Sequence, residues 1–336
     1  MKVTYHPVKM PLRHTFTIAH GSTSVQESFI VELSHDGISG FGEATANPYY
    51  GVTVPKMTEQ VESVRSLIES GSWKIPEEFH QALLSTGKLK AFTLCALDLA
   101  FNDLYGKLKG QPLYKIWGLD GSMGPISNYT IGIDTVENMV AKMKEFPWPL
   151  YKIKLGTKED IRIIEELRKN TNAVFRVDAN CAWGVEETIT NSKALKKLNV
   201  QFIEQPLKAD DLDGMKRVFT ESELPVIADE SCQVEADVDK CFNHFHGINI
   251  KLTKCGGLTP ARRMIARARA LNMKIMMGCM TESSVGISAI AQVVPLLDYV
   301  DMDGALLLAE DPAKGVQVTT SGLIFPNENG TGASLK

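Results

Sequence analysis

Five ionisable residues recur at a nearly constant interval in the second half of the sequence. Lys154, Asp178, Glu204, Asp229 and Lys251 are separated by 24, 26, 25 and 22 residues. Each stands at or near the end of a short apolar run, in YKIKLG, FRVDAN, FIEQP, VIADES and INIKL. Three carboxylates delivered singly by neighbouring strands suit an oxygen-loving divalent cation, and Mg²⁺ takes a few carboxylates while leaving positions for water or substrate. Zinc fits poorly, because no histidine or cysteine stands at the equivalent positions of these three runs. The two amines flanking the trio suit an acid–base pair, in which one must be neutral in each reaction direction. Desolvation and neighbouring positive charge lower a lysine pKa, and Lys152, on the same strand face as Lys154, supplies such charge. Lys254 is the alternative to Lys251, but it is read as a loop residue. Taken singly, each carboxylate reads as a helix cap and each lysine as a snorkelling side chain; the shared period argues for a site.

The interval matches one strand–helix unit. After Pro125, ISNYTIGI, LYKIKLG, AVFRVDAN, VQFIEQP, PVIADES, GINIKL, KIMMGC and YVDMDG alternate with helical stretches. That rhythm predicts a parallel βα barrel whose strand ends converge on one mouth; the count falls to seven if one run is irregular. Ahead of it, QESFIVELSHDGISGFGEA reads as a hairpin around Asp36-Gly37. From about Met57 the pattern is helical, with Leu94, Leu97, Phe101 and Leu104 on one stripe. The glycine-rich GLDGSMGP (118–125) marks a boundary. The chain therefore reads as an α+β unit over 1–120 and a barrel over 121–317, with a tail from about 318 to 336 packing back on the first unit.

Of the 336 residues, 44% are hydrophobic and 23% charged, and the net charge is −4 with no basic block. Nucleic acid and anionic membrane are poor partners for such a chain. No apolar run reaches the length of a membrane span, and the N-terminus alternates like a strand instead of carrying an apolar leader core. The six cysteines form no CxxC pair and read as free thiols of a reducing compartment, which places the protein in the cytoplasm. His244 and His246 lack an evident third ligand and read as structural.

In this order and spacing, YKIKLG, RVDAN, FIEQP, IADES and INIKLTKCGGLT resemble the enolase superfamily, muconate-lactonising subgroup. The resemblance extends to the GFGEA hairpin and the ALDLAFNDLYGKLKGQPLY helix. It implies an α/β fold: a modified (β/α)₇β TIM-type barrel with an N-terminal α+β capping domain. It also implies one Mg²⁺ per subunit on Asp178, Glu204 and Asp229, with Lys154 and Lys251 as the acid–base pair. The shared step would be removal of a proton α to a carboxylate, the enolate charge being stabilised by the cation and aided by Lys152.

Asp301 and Asp303 alternate in YVDMDG, so both are expected to face the mouth, where a carboxylate pair suits a substrate ammonium. This Asp-x-Asp is similar to the feature by which dipeptide epimerases of the subgroup hold a free α-amino group. The implied substrate is a dipeptide such as L-Ala-D/L-Glu, epimerised at its second residue. Cys279, Met280 and Thr281 would border it, with Thr130 as a hydrogen-bonding partner. His20 occupies the capping loop where members specific for glutamate often carry arginine. A lyase of the o-succinylbenzoate synthase type is the alternative, although its substrate has no ammonium. A non-catalytic dipeptide-binding descendant would have lost a lysine or a metal ligand, and none is missing. Homo-oligomers are usual in the family.

Overall fold

The Asp36-Gly37 pair makes a tight turn with φ of 50° and 78°, positive at both residues as two-residue hairpins favour. It joins β2 (Gly21–His35) to β3 (Ile38–Thr45), and β1 (Lys2–Ile18) pairs antiparallel along the other edge of β2. The computed structural model describes residues 1–19 and 21–336. Three helices follow: α1 (Val54–Ser70), α2 (Pro76–Ser85) and α3 (Ala91–Leu108). Helix α3 lies so close on β3 that a Cβ at Gly42 would stand 2.1 Å from the Ala96 carbonyl oxygen. Phe29, Val31, Leu33 and Ala44 of the sheet bury against Leu97, Phe101 and Leu104 of α3 in one apolar core.

The eight barrel strands are β4 (Tyr129–Ile131), β5 (Leu150–Lys154), β6 (Val174–Asp178), β7 (Val200–Glu204), β8 (Val226–Ala228), β9 (Gly247–Lys251), β10 (Lys274–Gly278) and β11 (Tyr299–Asp301). They form one parallel sheet in sequential order. A single bridge from Ser127, just before β4, to Val300 of β11 joins its two edges. Register puts Lys154, Asp178 and Glu204 on one level, and Lys251, Gly278 and Asp301 on another. Below them the interior is filled by Phe202, Ile227, Met276 and Tyr299. The Arg176 guanidinium lies 5.3 Å and 5.1 Å from the Phe202 and Tyr299 ring centres. Among the described residues no helix is long and apolar enough to cross a membrane. All six cysteines are free.

Buried carboxylates join the N-terminal unit to the barrel. Asp98 of α3 accepts from Thr259 N at 3.0 Å, at the start of the helix Leu258–Ala270. Asp103 accepts from Phe41 N (2.8 Å) and from Thr331 N (2.7 Å), tying residue 331 to α3 and β3. Val318, by contrast, belongs to the barrel core. Glu43, fully buried, accepts from Ser283 N at 3.1 Å, Ser283 Oγ at 2.6 Å and Gly286 N at 3.1 Å, and also from Ser28 Oγ at 2.7 Å. Its carboxylate thus lies at the N-terminus of the helix Ser284–Ala291, where orphan N–H groups and the helix dipole favour an anion.

Removing a buried acceptor strands its donors, at about 1–3 kcal/mol each before relaxation. Glu43→Ala should therefore lower the unfolding free energy by roughly 3 kcal/mol in urea denaturation. A loss below about 1 kcal/mol would show that this carboxylate does not clamp the two units together.

Candidate active site

The strand ends open into a cavity of about 540 Å³, roofed by the N-terminal unit. Lys152, Lys154, Lys251, Asp301 and Asp303 all line it. Asp178, Glu204 and Asp229 lie behind that surface, fully buried, each with one carboxylate oxygen within 4.8 Å of the others. The five residues selected by their period thus come from five consecutive strands, or the residue directly after one, and meet at one mouth.

Local structure explains how the strand ends hold their cargo. Asn180 N donates to Asp178 Oδ1 at 3.0 Å as the chain leaves β6, with Asn180 itself at φ 44°. Gln205, at φ 35°, sends its side chain toward the next strand, where Oε1 accepts from Asp229 N at 2.9 Å and Ser231 N at 3.1 Å. Asn249 Nδ2 donates to Glu204 Oε1 at 2.8 Å. These three amides were not singled out in the sequence, although each lies within two residues of one that was.

The lysines are woven into the carboxylates. Lys154 Nζ pairs with Asp178 Oδ2 at 2.7 Å, and Lys251 Nζ with Asp229 Oδ2 at 2.8 Å. Lys152 is 1% exposed and touches Glu204 at 2.7 Å, Asp301 at 2.9 Å and Asp178 at 3.2 Å. Lys254 corrects the sequence reading. It lies in the one-turn helix Leu252–Cys255, buried, with its ammonium on Asp229 Oδ1 and the Asp229 carbonyl and 5.9 Å from the Tyr50 ring centre. The strand runs straight into that helical turn, which sequence periodicity is too short to reveal.

At Lys152 and Lys251 the carboxylates outweigh burial. Burial disfavours the charged amine of Lys251, but Asp229 outweighs it and holds the group above the usual lysine value. Lys152 is likewise held charged against burial, by Asp301, Glu204 and Asp178. Against the same burial, Lys251 and Lys254 keep Asp229 well below the carboxylate range. Glu204 is pushed up to about 7, first by burial and then by Asp178. Its Oε2 is buried without a hydrogen-bond partner, close to Lys152 but off the direction of a hydrogen bond. An all-oxygen trio with one unsatisfied oxygen fits a hard divalent cation.

The second carboxylate pair faces the same cavity. Asp301 Oδ2 is taken by Lys152, and Oδ1 accepts from Asn128 Nδ2 at 2.7 Å and Thr130 Oγ1 at 3.4 Å. Asp303 accepts from Thr130 N and is pushed up to about 8, by burial and then by Asp301. Cys279, Met280 and Thr281 line the cavity with Thr130. The Cys279 thiol is held protonated by burial and the neighbouring acids. His20 lies outside the described residues. His246 accepts from Val226 N at 3.1 Å and stacks near Phe219, a structural use. The N-terminal unit adds Phe16, Ile18, Val25, Tyr49 and Tyr50 to the wall, none of them marked by a local motif.

Residues 1–118 match the mandelate racemase/muconate lactonizing enzyme N-terminal domain model, and residues 134–336 match the enolase C-terminal domain-like model. The chain is 58% identical to the L-Ala-D/L-amino acid epimerase of Flavobacterium johnsoniae, with all of both chains covered. It is 56% identical to the protein of the same name from a Maribacter species, over 100% of this chain and 99% of the relative. A dipeptide epimerase from Enterococcus faecalis, solved with Mg and L-Leu-L-Tyr, superposes with a TM-score of 0.91 at 29% identity, covering 99% of each chain. Fold, strand-end residues and relatives agree: the chain belongs to the enolase superfamily, in its mandelate racemase/muconate lactonizing enzyme branch.

Proposed function

We propose that this protein is a dipeptide epimerase, moving a proton on and off the α-carbon of the second residue. The observation that carries the reading is one cavity bounded both by the Lys154–carboxylate–Lys251 array and by the Asp301–Asp303 pair. Asp178, Glu204 and Asp229 would hold Mg²⁺. When bound there, the cation supplies a Lewis acid for the dipeptide carboxylate and takes up the charge that grows on it. Lys152 adds a fixed positive charge beside the same oxygens. Asp301 and Asp303 receive the free ammonium through charge-assisted hydrogen bonds, with Thr130, Cys279, Met280 and Thr281 around the dipeptide.

Held in this way, the second α-carbon lies between two amines. One takes the proton and the other returns one from the opposite face, which inverts the centre. Lys251 keeps its proton while paired with Asp229, so acting as a base requires that this pairing loosen. The Flavobacterium johnsoniae and Maribacter relatives are L-Ala-D/L-amino acid epimerases, a name that specifies no single second residue, and we extend a broad second-residue range to this chain. We further read the chain as a capping unit over 1–120 and a catalytic barrel over 121–317, working in the cytoplasm and open to homo-oligomer formation.

A panel of L-Ala-X dipeptides in D₂O with Mg²⁺ should incorporate deuterium at the second α-carbon, with L-Ala-L-Glu among the substrates. Turnover of a succinylbenzoate precursor, with no exchange in any dipeptide, would overturn the reading. Lys251→Ala should abolish epimerisation, a loss of at least about 10²–10⁴-fold for an acid–base group, while Mg²⁺ binding stays measurable by calorimetry. Full activity would transfer the role to Lys254. Because Asp303 is pushed up to about 8, an arriving ammonium that favours its ionised form expels a proton. Calorimetry at pH 7 in buffers of different ionisation enthalpy should register that release on dipeptide binding, and Asp303→Asn should abolish it. An equal release in the variant would place the titration elsewhere.

A further inference from the structure

Asn128 is fully buried one residue before β4, and its two amide ends meet opposite charges. Its Oδ1 accepts from Arg176 Nη1 at 3.2 Å, and its Nδ2 donates to Asp301 Oδ1 at 2.7 Å. Arg176, 3% exposed, reaches across the barrel from β6; Nε donates to Gln201 Oε1 at 2.9 Å and Nη1 also to Val300 O at 3.0 Å. A guanidinium only donates, so Arg176 must take the oxygen of Asn128. That choice obliges the Asn128 NH₂ to point at Asp301. Asp301 is then gripped on both sides, by Asn128 and Thr130 at one oxygen and by Lys152 at the other. Neither Arg176 nor Asn128 lines the cavity.

We propose that Arg176 and Asn128 are a positioning pair that fixes the Asp301 carboxylate to receive the substrate ammonium, without touching the substrate. The inference rests on the dipeptide reading above. Without the Asn128 donor, the Asp301 carboxylate is free to turn both oxygens toward Lys152, and the amino-terminal end of the substrate loses an oriented acceptor. Lys152 keeps its Glu204 and Asp178 partners, and proton transfer at the second α-carbon uses Lys154 and Lys251, so the loss falls on binding of the ammonium.

A substrate without that ammonium separates this role from a merely structural one. N-propionyl amino acids keep the amide, the second α-carbon and the carboxylate of an L-Ala dipeptide and replace only the ammonium by hydrogen. In Asn128→Ala, kcat/KM for L-Ala-X should fall about 10–100-fold, the range of a charge-assisted hydrogen bond, nearly all of it in KM. Deuterium exchange into the matching N-propionyl amino acid should stay within about threefold of its unsubstituted rate, on the same scale. Arg176→Lys cannot grip Gln201, Asn128 and Val300 together, so it should shift the same ratio in the same direction by less. It carries the test alone if circular dichroism shows that Asn128→Ala does not fold. Equal losses on both substrates, or an unchanged ratio in a folded variant, would overturn the positioning role. No exchange by the unsubstituted protein with any dipeptide would instead remove the reading beneath it.

Discussion

One ammonium holds the centre of this protein. Lys152, almost without solvent contact, lies within 3.2 Å of Asp178, Glu204 and Asp301. Three carboxylates at such separations repel one another strongly where water is excluded, and a buried charge is tolerated only when paired. Lys152 therefore belongs to both halves of the mouth. It offsets part of the trio's charge and occupies one oxygen of the carboxylate pair opposite. Further cations complete the pairing: Lys154 also holds Asp178, and Lys251 with Lys254 holds Asp229. The outcome is a lattice of alternating charge in which no amine moves without altering the partners of its neighbours.

The rest of the molecule holds that lattice in place. Gln205 ties the neighbouring ends of β7 and β8, and Asn249 reaches from β9 past β8 to Glu204 at the level of the carboxylates. Below, the Phe202–Ile227–Met276 layer closes the barrel floor, with the Arg176 guanidinium packed beside the Phe202 ring. Above, α3 and β3 reach the barrel through Asp98 and Glu43, each accepting from backbone N–H groups at the start of a barrel helix. These acids do for the lid what the lysines do for the site. Each buried carboxylate is stabilised by donors from a different part of the chain, so the parts must be assembled for the charge to be tolerated.

The sequence revealed most where periodicity and chemistry coincide. A strand exposes one side chain in two to each face, so a charge at every strand end could be located by counting, and Lys154, Asp178, Glu204, Asp229 and Lys251 do converge. The Asp36-Gly37 turn was legible because both residues tolerate positive φ. Lys254 was misjudged because a single helical turn is shorter than any periodic signal. Tyr49 and Tyr50 were missed because they reach the cavity through the docking of two units, which no local pattern encodes. Asn128 and Arg176 escaped notice for a different reason. An arginine in a strand reads as exposed until the position of its partner, 48 residues earlier in sequence, is known.

Barrel closure has a consequence for how this scaffold can change. The first and last strands meet through one backbone bridge, and side chains complete the join. Asp303 takes Thr130 N, Asp301 takes Asn128, Ser127 Oγ takes Met302 N, and Arg176 takes the Val300 carbonyl. The acids that would read the amino terminus of a substrate are thus also fasteners of the barrel. A lineage that exchanged them for a different head-group preference would loosen its own fold in the same step. Walls contributed by Phe16, Ile18 and Val25 carry no such double duty, so inherited variation in diet is freer to accumulate there than at the join.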